Sequence, residues 1–258
     1  MDLFDLKGRV AVITGGNGGL GLSMARGLVK AGAHVAVWAR DKAKNAAALS
    51  ELRDLGGAGD VIACPCDVVD ETQIEAAMQA TLSQYGRVDV CFANAGRSGA
   101  GTRIPDMTVE GWDATFDVNT RGVALTYKHV TRHMIERAQD GDAGGKLIAT
   151  SSDQSIMGVN KSSDYAASKA AVNGLTRGAA FELARFNITA NALLFGFYET
   201  DITASAPPAF GEWIKQRVPL RRFGNHDGLE GLAVFLASSH SDYITGVSLP
   251  VDGGLAIS

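Results

Sequence analysis

Seven short apolar runs rich in Val and Ile recur along this chain with stretches of helical period between them, and no other feature restricts its fold as tightly. The runs cover 10–14, 35–39, 61–65, 88–93, 146–151, 188–195 and 247–251. Most are apolar at every position rather than at alternate ones, the pattern of a strand covered on both faces. The segments between them, near 20–31, 42–55, 71–85, 109–137, 164–185 and 226–238, read as helices. Such alternation demands right-handed βαβ crossovers, and so a parallel, doubly wound α/β sheet with helices on both faces. No Pro- or Ser-rich linker and no internal repeat interrupts it, so residues 1–258 read as a single domain. One stretch breaks the rhythm. Residues 197–225 carry Pro207, Pro208, Pro219 and the pair Arg221-Arg222, and read as an excursion over the carboxyl edge of the sheet. Ligands bind along that edge, so a substrate lid is expected there, with a purely structural insertion as the plain alternative.

Charge excludes several functions. The net charge is −4 and Lys and Arg are scattered, which leaves no basic patch for nucleic acid or a membrane surface. No apolar stretch reaches the roughly 18–20 residues of a membrane span. The first residues, from Met1 to Lys7, are too acidic and short for a signal peptide. Cys64, Cys66 and Cys91 all lie in or beside apolar runs, an odd count with no Cys-x-x-Cys pair. That argues against disulfides and zinc, and for a reducing cytoplasm.

The first strand runs into Thr14-Gly15-Gly16-Asn17-Gly18-Gly19-Leu20-Gly21 and then a helix. Gly16, Gly18 and Gly21 satisfy one dinucleotide spacing, and Gly15, Gly19 and Gly21 another. In both, glycines let the backbone approach a pyrophosphate whose charge meets the amides of a helix N-terminus. The placement, strand then turn then helix, gives the pattern its weight and makes the fold Rossmann-like. After the second strand, NAD sites place an acidic residue and NADP sites a basic one. Here Ala39 fills the acidic position and Arg40 follows, an arginine fork suited to a 2′-phosphate. Asp41 reads as the N-cap of the next helix. Against NADP stands the glycine loop itself, which holds Asn17 and no second basic residue; NAD is the second choice.

Tyr165 and Lys169 stand at i and i+4, on one face of a helix. A cation beside a phenol favours phenolate, which suits the pair to proton transfer. Ser152 ends the preceding strand at the carboxyl edge, where a hydroxyl can donate to a carbonyl oxygen as it gains charge. Asn94-Ala95-Gly96 ends the fourth strand on the same edge, and Asn119 falls in the long helix that follows. Together with Asp67 and the ending Tyr243-Ile244-Thr245-Gly246-x3-Pro250-Val251-Asp252-Gly253-Gly254, these residues resemble the short-chain dehydrogenase/reductase family from about Lys7 to Gly254.

The resemblance implies Tyr165 as general acid in ketone reduction and general base in alcohol oxidation. It implies Lys169 as the group that lowers the tyrosine pKa and binds the nicotinamide ribose. Ser152 would polarise the substrate carbonyl, and Asn119 would hold a water linking Lys169 to solvent. Beside Tyr165 and Lys169, the implied cofactor residues are Thr14, Gly15, Asn17, Gly19, Leu20, Gly21, Arg40, Asp67, Val68, Asn94, Ala95, Gly96, Gly196, Tyr198 and Thr200. Asp67 and Val68 would face the adenine, Asn94 the adenosine side, and Thr200 the nicotinamide carboxamide. A homotetramer built on two long helices and the C-terminal segment is implied as well.

One departure stands out. The family usually has Pro-Gly after the sixth strand, where this chain has Phe195-Gly196. Phe195 either reshapes the cofactor or substrate pocket or is a tolerated change whose ring faces away. Asp153, Gln154, Met157, Gly158, Phe197 and Arg97 are expected to line the substrate pocket, a mixed surface suited to secondary alcohols and ketones. The leading function is an NADP-dependent oxidoreductase that interconverts a ketone and a secondary alcohol. An NAD-dependent dehydrogenase of a polyol, sugar acid or other alcohol is the enzymatic alternative. A non-catalytic NADP-binding sensor is the alternative of another class.

Overall fold

In the structure, a computed structural model describing residues 4–199 and 208–258, seven parallel strands form one sheet in the order β3-β2-β1-β4-β5-β6-β7. The strands are β1 (Val10–Thr14), β2 (His34–Ala39), β3 (Val61–Pro65), β4 (Val90–Ala93), β5 (Gly145–Ser152), β6 (Ile188–Phe195) and β7 (Ser248–Val251). The order reverses between β1 and β4, which opens a crevice at their carboxyl ends. The helices are α1 (Gly19–Lys30), α2 (Lys42–Asp54), α3 (Glu71–Tyr85), α4 (Val109–Phe116), α5 (Gly122–Gln139), α6 (Ser163–Leu183), α7 (Pro208–Arg217) and α8 (His226–Ala237).

Period-2 geometry explains the continuous apolar runs. Ala11 and Ile13 of β1 point into one core with Met24, Leu28, Leu229 and Leu236 from α1 and α8. Val12 between them points to the other face, where Cys91, Val130, Met134 and Val172 pack from β4, α5 and α6. Every side chain of a central strand is therefore buried, on one face or the other. The cysteines are buried and unbridged, and burial pushes the Cys66 and Cys91 thiols up to about 12. No helix among the described residues is long and apolar enough to cross a membrane.

The helix expected at 109–137 is not continuous. It divides into α4 and α5 around a π-helical turn, Asp117–Arg121. The extra residue in that turn changes the phase of the helix, and Asn119 inside it is turned fully inward, 0% exposed. The strand expected from 88 begins at Val90; Val88 N donates to His133 Nε2 at 3.2 Å instead of to a neighbouring strand. From the excursion at 197–225, Ile214 of α7 and Val218 just after it pack against Leu255, with Met157, Phe197 and Phe223 around them.

Candidate active site

A cavity of about 630 Å³ runs along the carboxyl edge at the β1–β4 switch point. Its floor is the glycine loop. Gly15 and Gly19 adopt positive φ (64° and 50°), a region closed to most side chains. A Cβ on Gly21 would lie 2.3 Å from the Gly15 carbonyl oxygen, so only glycine lets α1 start this close to β1. The N-cap of α1 is Gly18, which has no side chain to satisfy the first-turn amides, and no acidic residue sits in that turn. Those amides border the cavity at Gly18, Gly19 and Leu20, an arrangement that fits a pyrophosphate.

The loop is tied to its neighbours by amide side chains. Asn17 Nδ2 donates to Asn45 Oδ1 at 2.7 Å, and Asn45 Nδ2 donates to the Ala39 carbonyl at 2.9 Å. Thr14 Oγ1 accepts from the Asn94 and Ala95 amides, both at 2.9 Å. Asn94 Nδ2 donates to the Thr14 carbonyl at 3.1 Å, and its Oδ1 accepts from Thr150 Oγ1 at 2.9 Å. Asn94 borders the cavity, but its amide is spent stitching β1, β4 and β5 together. Thr14 and Gly21 stand behind the wall rather than in it.

At the adenosine end, Asp41 caps α2 by accepting from Ala43 N and Lys44 N at 2.9 and 3.0 Å. Arg40 is 71% exposed, and its Nη1 lies 3.5 Å from Asp67 Oδ2. Ala39, Arg40, Asp67 and Val68 all border the cavity, and so does Lys44. The glycine loop offers no second cation, but the first turn of α2 brings one. Lys44 lies four residues after Arg40 in an unremarkable helix start, a signal that only the fold makes readable.

The other end gathers Ser152, Tyr165 and Lys169 on one wall, with Gly96, Gly196 and Tyr198 nearby. Lys169 is buried, and burial pushes its ammonium down to about 8. Its Nζ donates to the Thr150 carbonyl at 2.9 Å and stands 5.8 Å from the Tyr165 ring centre. Burial holds the Tyr165 phenol above its usual range; Ser152 pulls it back down, and the charge of Asp153 adds to the rise. Lys169, expected to lower that phenol, donates to the backbone carbonyl of Thr150. Ser152 Oγ donates to Asp153 Oδ1 at 2.9 Å and accepts from Gln154 N at 3.2 Å.

Asn119 is held on every side by its side-chain amide. Its Oδ1 accepts from Arg97 N at 2.8 Å, while its Nδ2 donates to the Arg97 carbonyl at 3.0 Å and to Ser168 Oγ at 3.1 Å. The side chain is a clasp that fastens the loop after β4 to α6. Asp164 helps it, and sequence reasoning missed this residue. Its Oδ2 accepts from Ala100 N at 2.7 Å and Thr115 Oγ1 at 3.0 Å. Burial alone would raise its carboxyl, but hydrogen bonds led by those from Ala100 N and Tyr165 N hold it below the usual range.

Of the expected substrate residues, Asp153, Gln154, Phe197 and Arg97 border the cavity. Ser162 Oγ donates to Gln154 Oε1 and fixes that amide. Met157 does not reach the cavity, because it packs on the Ile214–Val218–Leu255 cluster, and Gly158 faces solvent. Thr200 lies outside the described residues. Phe195 answers both alternatives: it borders the cavity, but its ring is buried in the α1–α8 core. There it meets Tyr198 edge-on with centres 5.6 Å apart, and Tyr198 meets His226 in turn at 6.0 Å.

Residues 15–256 match the protein-family model described as enoyl-(acyl carrier protein) reductase. The 5-keto-D-gluconate 5-reductase of Escherichia coli K12 is 37% identical over 99% of this chain and 98% of its own length. The chain is a short-chain dehydrogenase/reductase. Like other oxidoreductases of this family, it is similar to 3-oxoacyl-acyl-carrier-protein reductase from Thermotoga maritima, 35% identical over 98% of this chain and 99% of that protein. This short-chain dehydrogenase/reductase also superimposes on a gluconate 5-dehydrogenase from Burkholderia cenocepacia J2315, solved in complex with NADP and tartrate. That likeness has a TM-score of 0.90 and 37% identity, covering 100% of this chain and 98% of the other.

Proposed function

We propose that this enzyme reduces the ketone of a polyhydroxylated carboxylic acid with NADPH, and runs the reverse oxidation with NADP. The carrying observation is that Ser152, Tyr165 and Lys169 share one cavity with Arg97 at the substrate end and Arg40 and Lys44 at the adenosine end. Two cations at the ribose suit a 2′-phosphate, and the gluconate 5-dehydrogenase neighbour was solved with NADP bound. A guanidinium beside the reacting end suits a carboxylate, in keeping with the keto acid named for the Escherichia coli relative. The non-catalytic sensor finds no support among relatives that are named as enzymes.

The bound nicotinamide supplies the hydride. Tyr165, held protonated by burial, donates its phenolic proton to the carbonyl oxygen as that oxygen gains charge. Ser152 donates a hydrogen bond to the same oxygen. Lys169, charged below about 8, anchors the nicotinamide ribose and supports the tyrosine as it gives up its proton. Asn119 and Asp164 act indirectly by holding residues 97–100 against α6. The described parts of the excursion, residues 197–199 and 208–225, serve as a lid at the substrate end of the single domain, with Phe197 and Tyr198 bordering the cavity.

The enzyme is cytoplasmic and a homotetramer in this reading. α6 supports the tetramer by presenting Gly174, Gly178 and Phe181 to solvent, the phenylalanine 89% exposed. The test is NADPH consumption, followed by its near-ultraviolet absorbance, over a panel of 5-keto-D-gluconate, simple keto acids, cyclic ketones and a 3-oxoacyl thioester. Fastest turnover on the hydroxylated keto acid supports the substrate class. Fastest turnover on the thioester rejects it.

A further inference from the structure

Asp153 is the titratable group of the site that the proposed mechanism does not use. It follows β5 directly, borders the cavity and is only 2% exposed. Its two oxygens are treated unequally. Oδ1 accepts from Gln154 N at 2.7 Å and from Ser152 Oγ at 2.9 Å. Oδ2 is buried with no hydrogen-bond partner. A carboxylate in water would satisfy both; a buried one short of donors gains by taking a proton. The proton belongs on Oδ1, where Ser152 Oγ stands ready to accept it, because nothing accepts one at Oδ2.

The consequence falls on Ser152. While Asp153 is charged, its Oδ1, 2.9 Å from Ser152 Oγ, competes with a substrate oxygen for the single hydroxyl proton. We propose that Asp153 is a positioning residue that sets the direction of the Ser152 proton. As a carboxylate it draws that proton to itself. As a neutral acid with its own proton on Oδ1 it donates to Ser152 Oγ, the bond reverses, and Ser152 turns its proton to the carbonyl. Ketone reduction then needs Asp153 protonated.

The surroundings favour that form. Asp252 faces Asp153 from the end of β7, with both its oxygens already accepting from the amides of Gly254 and Ala256 at 2.9 and 2.7 Å. Tyr165 faces it from α6, with Lys169 one turn on engaged by the Thr150 carbonyl, and β6 sets Phe195 opposite Ser152. Burial first, and then the charge of Asp252, hold the Asp153 carboxyl above its usual range.

This inference rests on the reading of Ser152 and Tyr165 given above, and the experiment separates the two. kcat/KM for ketone reduction is measured from about pH 5 to about pH 9 for the wild type, Asp153→Asn and Asp153→Glu, on the fastest ketone of the panel. The wild type is expected to fall in two steps as pH rises, the lower from Asp153. Asp153→Asn loses the lower step and stays level, about tenfold above the wild type between the steps when each is scaled to its acid-side rate. Asp153→Glu restores the step, and NADPH binding measured by fluorescence is the same in all three. An Asp153→Asn profile that superimposes on the wild type overturns the inference, as does a loss that is equal at every pH in both variants. If Asp153→Asn does not fold, Asp153→Glu decides: a lower step moved to a new pH supports the inference, and an unmoved one overturns it. Tyr165→Phe is run alongside. Undiminished turnover there, or no turnover of any ketone by the wild type, removes the underlying reading and this inference with it. Loss of turnover in Tyr165→Phe with a wild-type-like Asp153→Asn removes this inference alone.

Discussion

The two ends of the sheet bury charge in opposite ways. At the amino edge, Asp89 is surrounded: Arg87 contacts it at 2.6 Å, Arg9 and Arg137 at 3.3 Å each, and its Oδ2 accepts from Val10 N at 2.9 Å. Burial works against that carboxylate, but Arg87, the Val10 amide and the charge of Arg137 outweigh it and hold it below its usual range. At the carboxyl edge, Asp153 has an oxygen without a donor, Lys169 has lost charge stability to burial, and Tyr165 is held protonated. One end is saturated and the other is left short of partners. Saturation fixes a structure; groups held away from their preferred protonation states are able to exchange protons with a substrate. The chemistry therefore belongs to the end where the protein spends stability, and the fold is secured at the other.

Four perturbations test that contrast. Tyr165→Phe removes the proton donor and is expected to lower kcat/KM by about 10²–10⁴-fold, with the melting temperature little changed. Asp89→Asn does the reverse. It leaves three guanidiniums without their shared partner and is expected to cost about 3–5 kcal/mol in denaturant unfolding, with kcat per folded molecule unchanged. The double variant Arg40→Ala with Lys44→Ala strikes the far end of the same cavity. NADPH affinity should fall by about 2–4 kcal/mol in a binding titration while NADH affinity holds, and equal losses for both cofactors would show that neither cation reads the 2′-phosphate.

The smallest effects are in the pH dependence of stability, where the two ends differ in sign. The folded-state pKa of Asp89 lies below the unfolded value near about 3.9, so its contribution is present above that pH and is lost as pH falls through the folded value. Lys169 is lowered to about 8 in the folded state. The unfolded chain binds that proton up to about 10.4, so its contribution to stability rises between those values. Cys66 and Cys91, raised to about 12, work the other way in the same window. Urea melts should therefore show not a net rise but a wild type that gains stability relative to Lys169→Met as pH increases from about 8 to about 10.

How far this was legible beforehand varies with the kind of signal. The sheet was readable because a parallel strand buried on both faces is apolar at every position, and β1, β3 and β6 fall where the runs fall. The glycine loop was readable because Gly15 and Gly19 need positive φ and Gly21 admits no Cβ. The π turn was not readable: Asp117-Val118-Asn119-Thr120-Arg121 carries ordinary helix residues, and the inserted phase comes from packing of Asn119 on Arg97 and Ser168. Lys44, Asp164 and the clasp by Asn119 were also hidden, since each depends on a partner dozens of residues away or on the turn of a helix. Met157 was misplaced for the same reason, because its pocket or core position is decided by α7.

The most direct measurement is a paired one: turnover and unfolding free energy for Tyr165→Phe and Asp89→Asn, side by side with the wild type, using NADPH and 5-keto-D-gluconate. The account predicts that Tyr165→Phe loses turnover and keeps its stability and NADPH binding, while Asp89→Asn loses stability and keeps its turnover per folded molecule. Turnover that survives in Tyr165→Phe, or that disappears from well-folded Asp89→Asn, would contradict the division of the molecule into a catalytic edge and a structural one.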